Sequence, residues 1–179
     1  MRILFGLFYI AALVEFAGAF LYLYGLSYFW VQNIFLPIEY SLLVLVLAGW
    51  QRNRLVRKTM LYSIIVIDLL CIVNLFILGN LMIFCNQLIA LCCILFAIIA
   101  AFTLYDLEKH DQGAIYENFR FWVASGLLVF AAGSLTYFAL HDIVKEHYLV
   151  TVWQAHIIVN SISLGLYSVG FLCQIRRSV

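Results

Sequence analysis

The sequence predicts an all-α fold: a polytopic six-helix transmembrane bundle with its N-terminus and C-terminus cytoplasmic. Three observations carry that prediction. Of the 179 residues, 66% are hydrophobic and 11% charged, with a mean hydropathy of +1.07. A soluble domain has about 45–50% apolar and about 25% charged residues. Six apolar segments, near 3–26, 31–50, 59–78, 81–104, 120–140 and 149–173, are each long enough to cross ~30 Å of hydrocarbon, which takes about 20 helical residues. The basic residues fall almost wholly on one side of those crossings.

The first segment follows Arg2. It is longer than the apolar core of a signal peptide and lacks a small-residue cleavage site, so it is read as a mature helix. The second carries the chain's one proline, Pro37. Without an N–H, Pro37 removes the helix bond to the Asn33 carbonyl, which predicts a kink. The stretch Gln51–Lys58, QRNRLVRK, holds Arg52, Arg54, Arg57 and Lys58 among the ten Lys and Arg of the chain. Charges at a bilayer centre are costly and short basic loops stay cytoplasmic, so 51–58 is predicted as a cytoplasmic basic loop that orients every crossing. Gly79-Asn80 predicts a tight outer turn between the third and fourth helices. With 51–58 inside, Arg2, Lys109, Arg120, Arg176 and Arg177 also fall inside and only Lys145 outside. Tyr22, Tyr24, Tyr28, Trp30, Tyr148 and Trp153 gather toward the outer interface, and Trp50, Tyr105, Tyr116 and Trp122 toward the inner one, where amphipathic rings belong.

The polar stretch 106–120 is only a loop, so residues 1–179 are read as a single transmembrane domain in the bacterial cytoplasmic (inner) membrane. The near-neutral charge gives no reason to expect nucleic acid. Cys71, Cys85, Cys92, Cys93 and Cys173 contain no CxxC pair, and they are read as packing residues. Gly126 and Gly133, beside Ala132 and Ser134, predict a close helix contact, as does the face Asn86, Ala90, Cys93, Ala97 and Ala100 on the fourth helix. Such faces serve packing within the bundle and also permit a homodimer.

The chemistry-bearing residues are those that are expensive at membrane depth. Glu15, Glu39 and Asp68 lie well inside the first three crossings, with no Lys or Arg at comparable depth. On the sixth, Trp153, His156, Asn160, Ser163, Tyr167 and Gly170 follow a 3-4-3-4-3 spacing, one stripe of a helix. Two readings stand side by side. Glu15, Glu39, Asp68, His156 and Asn160 line one polar cavity that holds a ligand or proton, or these residues are interhelical hydrogen-bonding groups that fix the bundle. His141, Asp142, Glu146 and His147 form an outer cluster whose spacing matches no metal motif. No metal and no cofactor is predicted; a haem between His141 and His156 is the one arrangement weighed against that. No phosphate loop, no HExxH and no nucleophile with an evident base occurs, so catalysis is the weaker class.

EFAGAFLY (15–22), NIFLPIEYSLL (33–43), NFRFWVASGLLVFAAGSL (118–135) and HIIVNSISLGLYSVGFLC (156–173) together resemble a group of small bacterial inner-membrane proteins and the membrane module of some sensor histidine kinases. The resemblance implies that Glu15, Asn33, Glu39, Phe121, Trp122, Gly126 and Asn160 matter most. It implies a sensor-like role, although the chain closes on QIRRSV without a phosphoacceptor or ATP-binding region. The expectation is a sensory or interaction module that binds a small apolar or amphipathic ligand. It would signal through inner loops 51–58 and 105–119 to a cytoplasmic partner. A small transporter or proton-coupled channel using the midplane acids is the alternative.

Overall fold

The computed structural model describes residues 2–26, 29–77, 86–110, 114–141 and 146–178, and every regular element among them is helical. The helices are α1 (Arg2–Leu23), α2 (Phe29–Trp50), α3 (Arg54–Ile72), α4 (Asn86–His110), α5 (Phe119–His141) and α6 (Glu146–Ser178). One π-helical turn, Val73–Ile77, extends α3, and a 3₁₀ turn, Ile115–Glu117, precedes α5. Trp30–Trp50, Arg54–Phe76, Asn86–His110, Phe119–Phe138 and Gln154–Ile175 are each long and apolar enough to cross a membrane. Gly6–Gly18 is the shorter apolar part of α1. This is a multi-pass membrane protein.

The chain divides into two compact units, 1–88 and 89–179. In the first, α1 packs on α2 and α2 on α3. Local chemistry sets the two turns. Gly25 closes α1 with φ of 69°, and the Leu26 N–H donates to the Leu21 carbonyl at 3.0 Å. That bond is a Schellman closure, whose left-handed residue is glycine because a Cβ is strained there. The connection from α2 to α3 is only Gln51, Arg52 and Asn53. Asn53 caps α3 by accepting from the Leu55 N–H at 2.9 Å. The helix therefore begins at Arg54, not near 59 as the charges suggested, and three of the four basic residues sit on its first two turns. α2 runs unbroken through Pro37, because one missing rung is tolerated where the rest of an apolar helix is held by packing and by lipid.

The second unit is dominated by the α5–α6 pair. Glycines let the two backbones approach. A Cβ on Gly126 would lie 2.6 Å from the Tyr167 ring and 3.1 Å from the Ser163 carbonyl oxygen. One on Gly133 would run into the Val159 side chain, and one on Gly170 would lie 3.0 Å from the Trp122 Cβ. The predicted close contact at Gly126 and Gly133 is thus made to α6. On α4 the buried stripe is Cys92, Cys93, Phe96, Ile99, Ala100, Thr103 and Leu107. It shares Cys93 and Ala100 with the predicted small-residue face but is centred on larger side chains. Cys71, Cys92 and Cys93 are buried thiols. The Gly79-Asn80 turn, Cys85, Lys145 and the side chains of His141, Glu146, His147 and Trp153 lie outside the described residues, as does Asp142.

Candidate functional site

Two polar centres occur, one in each unit. The first lies at mid-span of α2 and α3. Tyr40 is the largest fully buried side chain, at 0% exposure, and its hydroxyl is 2.8 Å from the Ser63 Oγ. Ser63 spends its own proton on the Met60 carbonyl at 2.7 Å, so Tyr40 is the donor of the interhelical bond. One residue on, Ser41 Oγ donates to Asp68, at 3.2 Å from Oδ1 and 3.3 Å from Oδ2. A hydroxyl-to-carboxylate bond of full strength is about 2.5–2.7 Å. The shared, long contact therefore leaves the Asp68 carboxyl, half-buried and at the depth where charge costs most, held by one weak donor among the described residues. Glu39 is adjacent to Tyr40 and half-buried. The buried stripe of α2 passes through Asn33, Tyr40, Val44 and Leu47, which turns position 39 about 100° aside. Glu15 is on α1; its side chain lies outside the described residues.

The second centre joins α5 and α6. The His156 ring stacks on Tyr137, with centroids 4.7 Å apart and planes 23° apart, and meets the edge of Phe138 at 6.1 Å. Asn160 Nδ2 is 3.1 Å from His156 Nε2. Nδ2 can only donate, so Nε2 accepts and the ring proton sits on Nδ1; with the Asn160 amide reversed, both roles reverse. In either arrangement the pair keeps one donor and one acceptor to spare. These are the enclosed atoms His156 Nδ1 and Asn160 Oδ1, which have no hydrogen-bond partner. The Gly133 backbone lies near the ring but outside bonding geometry for Nδ1. Ser134 Oγ, on the same helix, is likewise enclosed and unbonded. Below this centre the predicted α6 stripe continues inward: Ser163, Tyr167 and Gly170 are all buried, the last two against Gly126 and Trp122.

Of the sequence-predicted residues, Asp68, Glu39 and Glu15 thus belong to the first unit, where Asp68 meets Ser41, and His156 and Asn160 to the second, where they meet each other. Sequence reasoning missed Tyr40, Ser41, Ser63 and Tyr137. For Ser41 the signal was present, since a mid-helix acid needs a donor on a facing helix. Phe16, Ala17, Phe20, Leu21, Trp30 and Val31 line an open apolar groove of about 470 Å³ between α1 and α2. At the other end of the chain, Tyr116 anchors the 3₁₀ turn: its carbonyl accepts from Trp122 Nε1 at 2.6 Å and from Cys173 Sγ at 3.9 Å. Among the described residues no three His, Cys, Asp or Glu gather as metal ligands.

Comparison with protein families, curated proteins and solved structures gives no match.

Proposed function

We propose that the chain is a sensory or interaction module of the bacterial cytoplasmic membrane. Six crossings, with both termini inside, would bind a small amphipathic ligand at intramembrane polar groups and report its presence to a cytoplasmic partner. The observation that carries this reading is the incomplete His156–Asn160 pair. It leaves one donor and one acceptor unsatisfied inside an apolar enclosure, and each such group costs about 1–3 kcal/mol. A neutral ligand group that both donates and accepts, on an apolar body, would complete it. The sensor-module resemblance favours the same role.

The test is native mass spectrometry of the protein released gently from its own membrane, with His156→Ala and Asn160→Ala compared. A small molecule retained by the parent and lost from both variants supports the reading. A parent that carries nothing beyond bulk lipid overturns it.

The weak hold on Asp68 favours a second reading, a small transporter or proton-coupled channel. A carboxyl with one long hydroxyl contact at mid-span is open to a proton or cation. Proteoliposomes answer this: flux abolished by Asp68→Asn and reduced by Glu39→Gln supports transport, and flux indifferent to both removes the acids from it.

A further inference from the structure

We propose that an anionic phospholipid occupies a defined seat on the outward face of α3, its phosphate on Arg54 and Lys58 and one acyl chain along Tyr62, Ile65 and Leu69. The inference is independent of any ligand elsewhere and needs only that the protein spans a membrane.

The charges come first. Arg52, Arg54, Arg57 and Lys58 are all exposed, and the first turn of α3 contains no acidic residue. Arg54 lies three and four residues from Arg57 and Lys58, spacings at which like charges repel on a helix. The helix N-terminus is itself the positive pole of the backbone dipole, so cations are misplaced there. Among the described residues no carboxylate pairs with Arg54, Arg57 or Lys58. The complementary negative charge is one that the surrounding membrane can supply. This turn joins two membrane spans, one ending at Trp50 and the other starting at Arg54, which places it in the headgroup layer.

The second observation is independent of charge and gives the partner a tail. From Lys58 the residues Tyr62, Ile65, Leu69 and Ile72 follow at steps of four, three, four and three, so they continue one face of α3. Their exposures are 66%, 56%, 56% and 51%, while the opposite face, Met60, Ile67 and Cys71, is buried. Lys58 to Leu69 is about 16 Å of helix at 1.5 Å per residue, close to half of the ~30 Å hydrocarbon core. A cationic cap at one end of an apolar stripe one leaflet long is the complement of a single anionic phospholipid. A soluble acidic protein would match the cap and leave the stripe unused.

The protein in nanodiscs of equal phosphatidylglycerol and phosphatidylcholine, with identical acyl chains, supplies the test. Native mass spectrometry counts the lipids that stay bound. The expected result is selective retention of phosphatidylglycerol. Arg54→Gln with Lys58→Gln lowers that selectivity about 25-fold, on the basis of about 1 kcal/mol, or about fivefold, per basic residue near an anionic surface. Lys109→Gln, on another helix, leaves selectivity unchanged. Equal retention of both lipids by the parent overturns the proposal, and so does full selectivity in the double variant. Competition by glycerol 1-phosphate at lipid-equivalent concentration would also overturn it, because the tail stripe would then contribute nothing.

Discussion

At the scale of single residues, the chain separates groups that hold the bundle from groups that are held. Tyr40 is among the former. Its ring is fully enclosed and its hydroxyl donates across α2 and α3 to Ser63. Tyr40→Phe should lower unfolding stability in detergent by only about 0.6 kcal/mol, the average measured for such intramembrane bonds. Tyr40→Ala removes the ring as well and should cost about 3–5 kcal/mol. Asp68 is a group that is held. Asn keeps an acceptor for Ser41 and drops the charge, whose placement near a span centre costs about 2.5–3.5 kcal/mol on insertion scales. Asp68→Asn should therefore melt at or above the parent in a thermal-shift measurement. A fall of several degrees would make the carboxylate a structural element. The sequence alone pointed to Asp68 and Glu39 but not to Tyr40 beside the latter. Acids stand out in an apolar helix, whereas a tyrosine there is indistinguishable from packing until the register of α2 is known, and one position of register is about 100° of face.

At the scale of elements, glycine is the informative residue, and its meaning differs from one position to the next. Gly133 meets Val159, a β-branched side chain fixed on α6, and neither helix can give way without separating. Gly133→Ala should destabilise by about 1–3 kcal/mol, the range for overpacking. Gly126→Ala should cost less, because its nearest contacts, the Tyr167 ring at 2.6 Å and the Ser163 carbonyl oxygen at 3.1 Å, are longer than the one Gly133 makes with Val159. Gly165, also on α6, has nothing within 4 Å of a built Cβ, so Gly165→Ala should stabilise by about 0.5–1 kcal/mol through helix propensity. Urea or SDS titration of the three variants checks the order. If Gly133→Ala and Gly165→Ala shift stability in the same direction, the α5–α6 contact is not where it is placed here. This contact was legible in advance, because two glycines seven apart and a 3-4-3-4-3 polar stripe are both helical periodicities. The start of α3 was not. Four charges in eight residues read as loop, and only the Asn53 cap reveals that the helix tolerates cations at its first turns. What hydropathy measures is lipid, and what a cap measures is the backbone.

At the scale of the whole molecule, the question is how many times the chain crosses and which way it faces. Five described helices are long enough to cross, and α1 spans Arg2–Leu23 with a shorter apolar part. Counting α1 as a crossing makes the number even and puts both ends on the same side. Counting it as an interfacial helix makes the number odd and separates them. The charges favour the even count, since with six crossings nine of the ten Lys and Arg fall on the side of Arg52–Lys58 and only Lys145 opposes them. If α1 lay in the interface, Arg52 in the α2–α3 turn and the three cations at the start of α3 would still be the strongest topological signal, and by that signal the turn would still face the cytoplasm. The two alternatives therefore differ only at the N-terminus, and a reporter there decides between them. A fluorescent protein joined before Met1 should fluoresce, as one joined after Val179 should, because such reporters mature only in the cytoplasm. Alkaline phosphatase inserted at 143 should be active, since that enzyme folds only outside. A dark N-terminal fusion beside a bright C-terminal one would reduce the crossings to five. Glu15 would then no longer lie on a membrane crossing, and the polar chemistry of the membrane would belong to Asp68, His156 and their partners.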